Sequence, residues 1–188
     1  MKEQSDPISL LFSLFFLLDR STPGEKPVGK LAQLWSLFEV ETPATAAKKA
    51  PIISLPVADS SLFPLCRDVL RLSNEERAKR KLQPLLFRED LNEVANAKAV
   101  DIAVKKYFSH RSPTYGSPFD FLKRLGISYR YAGENLAKGQ SSAQEVVKDW
   151  MRSPGHRKNI LFKDYSHIGI GVYPINQTSF VWTQLFWG

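Results

Sequence analysis

The run His167-Ile-Gly-Ile-Gly-Val-Tyr173, followed after Pro174-Ile-Asn-Gln-Thr178 by Ser179-Phe-Val-Trp-Thr-Gln-Leu-Phe-Trp187, decides the fold class. In the first arm Ile168, Ile170 and Val172 repeat with a period of two, while Gly169 and Gly171 occupy the opposite face, the pattern of a half-buried strand. The intervening Pro, Asn and Thr residues favour a turn, so the two arms read as a hairpin. The glycine pair is not a phosphate-binding loop, because it lies inside a strand and precedes a turn without a helix. Its expected role is close packing beneath a neighbouring element. Upstream, Tyr129-Arg-Tyr-Ala132 supplies a further short strand.

The residues before this hairpin carry helical signals. A helix starting near Pro64 turns Leu65, Val69 and Leu72 inward and ends before Gln83-Pro84, since the residue ahead of a proline avoids helical geometry. Asp90 with Glu93 has the spacing of a capping box ahead of Leu91, Val94, Ala95, Ile102 and Ala103. Ser117-Pro118-Phe-Asp120 repeats that start signal, and Gly126 closes the short helix behind it. Ser142-Ala-Gln-Glu145 opens a helix whose Ala143, Val146, Val147, Trp150 and Met151 form one apolar stripe, stopped by Ser153-Pro154-Gly155. Helices around a small antiparallel sheet make an α+β layered sandwich.

The chain has 188 residues, enough for one full domain and too few for two large ones. Its single cysteine, Cys66, excludes an intramolecular disulfide and reads as a buried small hydrophobe. The expected division is an apolar and partly helical extension over 1–40, a linker over 41–60 and a domain over 61–188. The eleven-residue run Ile8–Leu18 would span roughly 16 Å as a helix against a hydrocarbon core of about 30 Å, so it does not cross a bilayer alone. As a signal peptide it is atypical, with Glu3 and Asp6 before it and Asp19-Arg20 behind it. Leu31, Leu34, Trp35 and Phe38 share a helical face suited to packing on the domain, a membrane surface or a partner protein. The net charge of +7 belongs to the C-terminal part, where residues 61–188 carry 20 Lys and Arg against 12 Asp and Glu. Such a balance suits nucleic acid, anionic lipid or an acidic wall polymer as partner, and equally serves solubility alone. Lys79-Arg-Lys81 with Arg77 reads as a solvated helix end, which disfavours nucleic acid.

All three histidines, His110, His156 and His167, stand beside polar or turn-forming neighbours. Glu134, in Ala132-Gly-Glu-Asn135, follows the expected strand where Gly133 permits an unusual backbone and a carboxylate can enter a cavity. His110 and Glu134 form the best pair for polar chemistry, the alternative being that each merely hydrogen-bonds its own loop.

Leu72-Ser-Asn74-Glu-Glu-Arg77, Pro84-Leu85, Tyr107-Phe-Ser-His110, Gly133-Glu134-Asn135, Trp150-Met-Arg-Ser-Pro-Gly-His156-Arg-Lys-Asn159-Ile-Leu161, Gly169-Ile-Gly171 and Trp182-Thr-Gln184 occur in an order that resembles the CAP superfamily. This family of cysteine-rich secretory proteins, venom antigens and plant pathogenesis-related proteins is also called the SCP domain, and the match looks like its bacterial branch. The resemblance implies a three-layer α-β-α sandwich with a central cleft. In eukaryotic members that cleft is lined by two histidines and two glutamates able to hold zinc. Carried over, the first histidine falls on His110 and the first glutamate on Glu134. The second glutamate is replaced by Ser153 and the second histidine by Val181, whose side chain has no lone pair for a metal. The same blocks place Asn135 and Gln184 among the cleft candidates.

A two-ligand remnant binds zinc poorly, and His156 is the available third ligand; otherwise His156 ties its loop to the sheet. Serine protease chemistry, suggested for some relatives, finds no Gly-x-Ser-x-Gly elbow here, and Ser109 and Ser153 are hydroxyls without machinery. The expected function is a bacterial, extracytoplasmic binding module of the envelope or spore, acting through the cleft on an envelope or cell-wall component. The runner-up is a metal-dependent hydrolase of peptide or wall material using His110, Glu134 and His156. A third reading is lipid binding, with Phe180, Trp182, Phe186 and Trp187 lining a groove.

Overall fold

A computed structural model describes residues 54–188, so the apolar run Ile8–Leu18, the Leu31–Phe38 face and most of the 41–60 linker lie outside the described residues. A single 3-10 turn, Ser60–Leu62, leads into α1 (Phe63–Ala78), β1 (Leu86–Phe87), α2 (Glu89–Lys105), α3 (Pro118–Arg124) and β2 (Ala132–Lys138). Then follow α4 (Ala143–Arg152), α5 (Pro154–Ile160), β3 (His167–Pro174) and β4 (Phe180–Trp187).

The expected hairpin forms as β3 and β4, paired with Ile170 opposite Gln184, and it occupies the centre of a sheet ordered β1-β3-β4-β2. Two features depart from the sequence reading. The two-residue β1 runs parallel to β3, Leu86 opposite His167, so the sheet is mixed at one edge. The further strand is Ala132–Lys138, downstream of 129–132, because Arg130 and Tyr131 both donate their backbone N–H to Gly188 O and pairing with β4 begins only at Ala132. Glu134 is therefore inside β2, opposite Leu185. Gly133 is needed for space, not for an unusual backbone: a Cβ there would stand 2.3 Å from Tyr165 Oη.

Period-two alternation divides the sheet between two helical layers. Ile168, Ile170, Val172, Trp182 and Phe186 face α1 and α4. Leu185 packs with Leu91, Val94 and Ala95 of α2 and with Phe121 and Leu122 of α3. Val181 meets Ala99 and Ile102 of α2 beside Leu136. The expected close packing under the glycine pair is seen directly. A Cβ at Gly169 would lie 2.1 Å from the Leu91 carbonyl carbon, and one at Gly171 would lie 2.2 Å from Ala95 O. Trp182 and Phe186 are fully buried and build core, while Trp187 lies under the Arg88 guanidinium at 4.6 Å.

Two of the three expected caps form. Ser117 and Asp120 make a reciprocal capping box, and the Ser142 hydroxyl accepts from Glu145 N. The third does not: α2 begins at Glu89 with Arg88 as its cap residue. Arg88 is still sheet-bound, donating its N–H to Ile168 O while its own carbonyl accepts from Asn92 N, so the strand hands directly into the helix. Ser153-Pro154-Gly155 ends α4 but starts α5 at once, with Pro154 at the first helical position, so His156 lies on a helix.

Arg77, taken above as part of a solvated basic end, is fully buried. It donates from Nε to Gln83 O, from Nη1 to Ile160 O and Phe162 O, and from Nη2 to Tyr165 O. Lys79 and Arg80 do stay at the surface, paired with Glu76. The 54–59 segment lies on the domain, with Leu55 against the α2–α3 cluster and Asn96 Nδ2 donating to Pro56 O.

Cys66 is buried, its Sγ–H directed at Ile170 O, and burial pushes its thiol up to about 11. A neutral, enclosed thiol is unreactive. Iodoacetamide at pH 8 is expected to modify Cys66 only after denaturant is added, which intact-mass measurement reads directly.

Candidate functional site

The site is assembled where α2 turns back under itself. Lys106 ends α2 in the left-handed region, φ 55°, and sends the chain along the helix it has just left. Two charged side chains on the apolar stripe of α2 then hold the returning loop. Lys98 Nζ donates to Ser109 O at 2.7 Å, His110 O at 2.9 Å and Tyr107 Oη at 3.1 Å. Asp101 accepts from Tyr107 Oη at 2.7 Å, Ser112 Oγ at 2.6 Å and Thr114 Oγ1 at 2.5 Å. The Ser112 oxygen in turn receives Thr114 N and Tyr115 N. The loop closes with a bridge between Ser112 and Gly116, immediately before the Ser117 cap of α3.

This arrangement carries His110 to β2. His110 Nδ1 lies 2.7 Å from Glu134 Oε1. The imidazole is 58% exposed whereas the carboxylate is only 5% exposed, so the pair forms a lip over a narrow notch. Val94, Ala95, Leu185 and the stacked Tyr115 and Phe121 rings, 4.1 Å between centroids, make its apolar walls. A carboxylate only accepts, so Nδ1–H is the donor in this bond, and in the neutral imidazole Nε2 keeps its lone pair.

Burial pulls the Lys98 ammonium below its ordinary range, opposed by the charges of Glu134 and Asp101. Burial also pushes the Asp101 carboxyl up, but the three hydroxyl donors and Lys105 outweigh it and hold the group below the usual carboxylate range. The Tyr107 hydroxyl is raised, first by burial.

The remaining sequence candidates are placed differently. His156 is half-buried on α5, and its imidazole is shifted down by burial and by the charge of His110 nearby. It does not join the pair: among the described residues no group of three or more His, Cys, Asp or Glu side chains is placed to hold a metal ion. Zinc, which the resemblance implies, does not fit this donor set. The two retained ligands bond each other, and Val181 sits fully buried among Ala99, Ile102 and Leu136. Ser153 caps two helices with its backbone and points no hydroxyl hydrogen bond into either.

Asn135 and Gln184 lie on the other face of the sheet, fully buried and bonded into a chain that leaves no free group. Asn135 Nδ2 donates to His156 O and Gln184 Oε1, Asn159 Nδ2 donates to Asn135 Oδ1 and Glu134 O, and Gln184 Nε2 donates to Ser73 Oγ. Lys98, Asp101 and Tyr107 were not among the sequence candidates. The signal was present: Lys98 falls on the stripe of Leu91, Val94, Ala95 and Ile102, where a charged residue demands a buried partner.

Comparison with known proteins is consistent at each level. The model of the cysteine-rich secretory protein family, CAP, matches residues 70–186. The uncharacterized protein YkwD of Bacillus subtilis is 49% identical over 148 residues, which is 79% of this chain and 55% of YkwD. The uncharacterized membrane protein YlbC of the same organism is 38% identical over 106 residues, 56% of this chain and 31% of YlbC. The chain thus spans about half or less of these curated relatives. Among solved structures, an extracellular SCP-domain protein from Bacillus anthracis superposes with a TM-score of 0.63 at 30% identity, covering 71% of this chain and 45% of that one. An outer surface protein from Borrelia burgdorferi gives the same TM-score of 0.63 at 21% identity, covering 71% of this chain and 98% of that one, a likeness of fold. Among the described residues no helix is long and apolar enough to cross a membrane. With the family model spanning β3, β4 and the loop that carries His110, the chain belongs to the CAP family, as a bacterial SCP-domain protein.

Proposed function

We propose that this CAP domain acts outside the cytoplasm, at the envelope or spore, as a binding module that takes a cell-wall component at the His110–Glu134 lip and does not turn it over. The observation that carries the reading is the pair itself: an exposed imidazole fixed by a buried carboxylate, with the family's other two ligand positions filled by Val181 and Ser153. Such a pair offers a hydrogen-bond acceptor beside apolar walls, which suits a hydroxyl- or amine-bearing ligand. The extracellular and outer-surface descriptions of similar structures support the location.

The test is co-sedimentation of the full chain with isolated cell walls. Retention is expected, weakened about tenfold or more in His110→Ala and in Glu134→Ala, as for loss of a hydrogen bond to a charged group. No soluble wall fragments should be released. Undiminished retention in both variants would remove the lip from the binding site, and released fragments would make the protein a hydrolase. Zinc titration by calorimetry separates the metal-dependent alternative. Binding weaker than micromolar is expected, whereas tight binding abolished by His110→Ala, Glu134→Ala and His156→Ala alike would establish a metal centre.

A further inference from the structure

We propose that Lys98 is the positioning residue of the His110–Glu134 pair: its buried ammonium clamps the backbone on which His110 is mounted and thereby selects which imidazole nitrogen faces the ligand. This rests on the reading of that pair as the binding element. Lys98 is only 4% exposed and spends all three donors on the returning loop, two of them on the carbonyls of Ser109 and His110. The His110 carbonyl is thus fixed to α2, and the ring of the same residue is bonded to Glu134 on β2. The residue bridges helix and sheet with one anchor at each end. Removing the ammonium takes the donor from both carbonyls and frees the ring to leave the carboxylate.

Lys98 also lines the notch together with Glu134. Asp101 serves the same loop from the next turn of α2, through Tyr107, Ser112 and Thr114. Tyr107 Oη contacts both charged residues, yet the carbonyl clamp does not require it.

The test uses the full chain with nitrogen-15 in its histidines. In the wild type His110 is expected to hold the Nδ1–H tautomer almost exclusively. In folded Lys98→Met the population should shift severalfold toward Nε2–H, the form an unrestrained imidazole prefers, while Lys123→Met, at an exposed position outside the loop contacts, keeps the wild-type ratio. A folded Lys98→Met that retains the wild-type tautomer overturns the assignment. Acetic anhydride labelling of the native wild-type chain needs no variant. Lys98 should be modified at least tenfold more slowly than the exposed Lys123, and equal rates overturn the clamp. Both readouts work without any ligand, so their failure would strike Lys98 alone and leave the wall-binding experiment to judge the function.

Discussion

Arg77→Met is expected to lower the stability of the domain by about 3 kcal/mol or more, seen as a melting temperature roughly 10 °C below wild type. Four carbonyls depend on this one guanidinium, and they belong to two stretches far apart in sequence: Gln83 after α1, and Ile160, Phe162 and Tyr165 between the end of α5 and β3. Methionine fills much of the volume and spares the cost of burying a charge. It leaves the acceptors stranded, however, and each buried unpaired acceptor costs about 1–3 kcal/mol before water or rearrangement recovers part of it. Lysine does not rescue, because a single ammonium cannot reproduce a planar fork that meets four oxygens. Urea unfolding of the two variants against wild type checks the prediction, and a loss below about 1 kcal/mol in Arg77→Met would show that the carbonyls are served otherwise. Arg80→Met, at an exposed position paired with Glu76, should change stability by less than about 0.5 kcal/mol.

Gly169→Ala and Gly171→Ala are the second pair of large effects, each expected to cost about 3 kcal/mol or more and to lower soluble yield. A methyl group is small, but at 2.1–2.2 Å from backbone atoms of α2 it has nowhere to go. The helix is bonded to the sheet at this height, Thr183 Oγ1 donating to Ala95 O at 2.7 Å, so relief requires α2 to lift as a body. Lifting α2 raises Lys98 and Asp101 with it. Any Gly169→Ala or Gly171→Ala protein that does fold should therefore lose wall binding as well as stability. Gly155→Ala is the control: a Cβ there meets nothing within 4 Å, and alanine on α5 should be neutral or stabilise by up to about 1 kcal/mol. A melting curve for Gly171→Ala indistinguishable from that of Gly155→Ala would refute the close-packing account.

The architecture was legible wherever a local signal coincided with a tertiary need. Ile168, Ile170 and Val172 alternate because one face of β3 is core, and the glycines between them mark where α2 presses on the sheet. Ser117 and Ser142 cap because nothing else competes for the first turns of α3 and α4. Asp90 fails as a cap because Arg88, two residues earlier, is already held by β3, a contact from a residue distant in the chain that no local pattern records. The site was half legible. His110 and Glu134 were named, and they bond each other, not their own loops. Asn135 was grouped with Glu134 as one block, yet consecutive residues of a strand point to opposite faces, and the sheet separates them into different layers. Arg77 went unrecognised because a cation at a helix end looks like a surface residue until the carbonyls that bind it, as far as 88 residues away, are known, whereas Lys98 did stand on a legible apolar stripe.

The order of the strands has a consequence for synthesis. Both edge strands pair only with the hairpin at residues 167–187, and both helical layers pack on its two faces. A nascent chain therefore carries α1, α2, α4 and α5 without the sheet faces on which the two layers pack until β3 and β4 have been made. The domain closes only once β3 and β4 have both been made, and a stop codon anywhere before β4 removes the platform for the whole domain, not merely its final element.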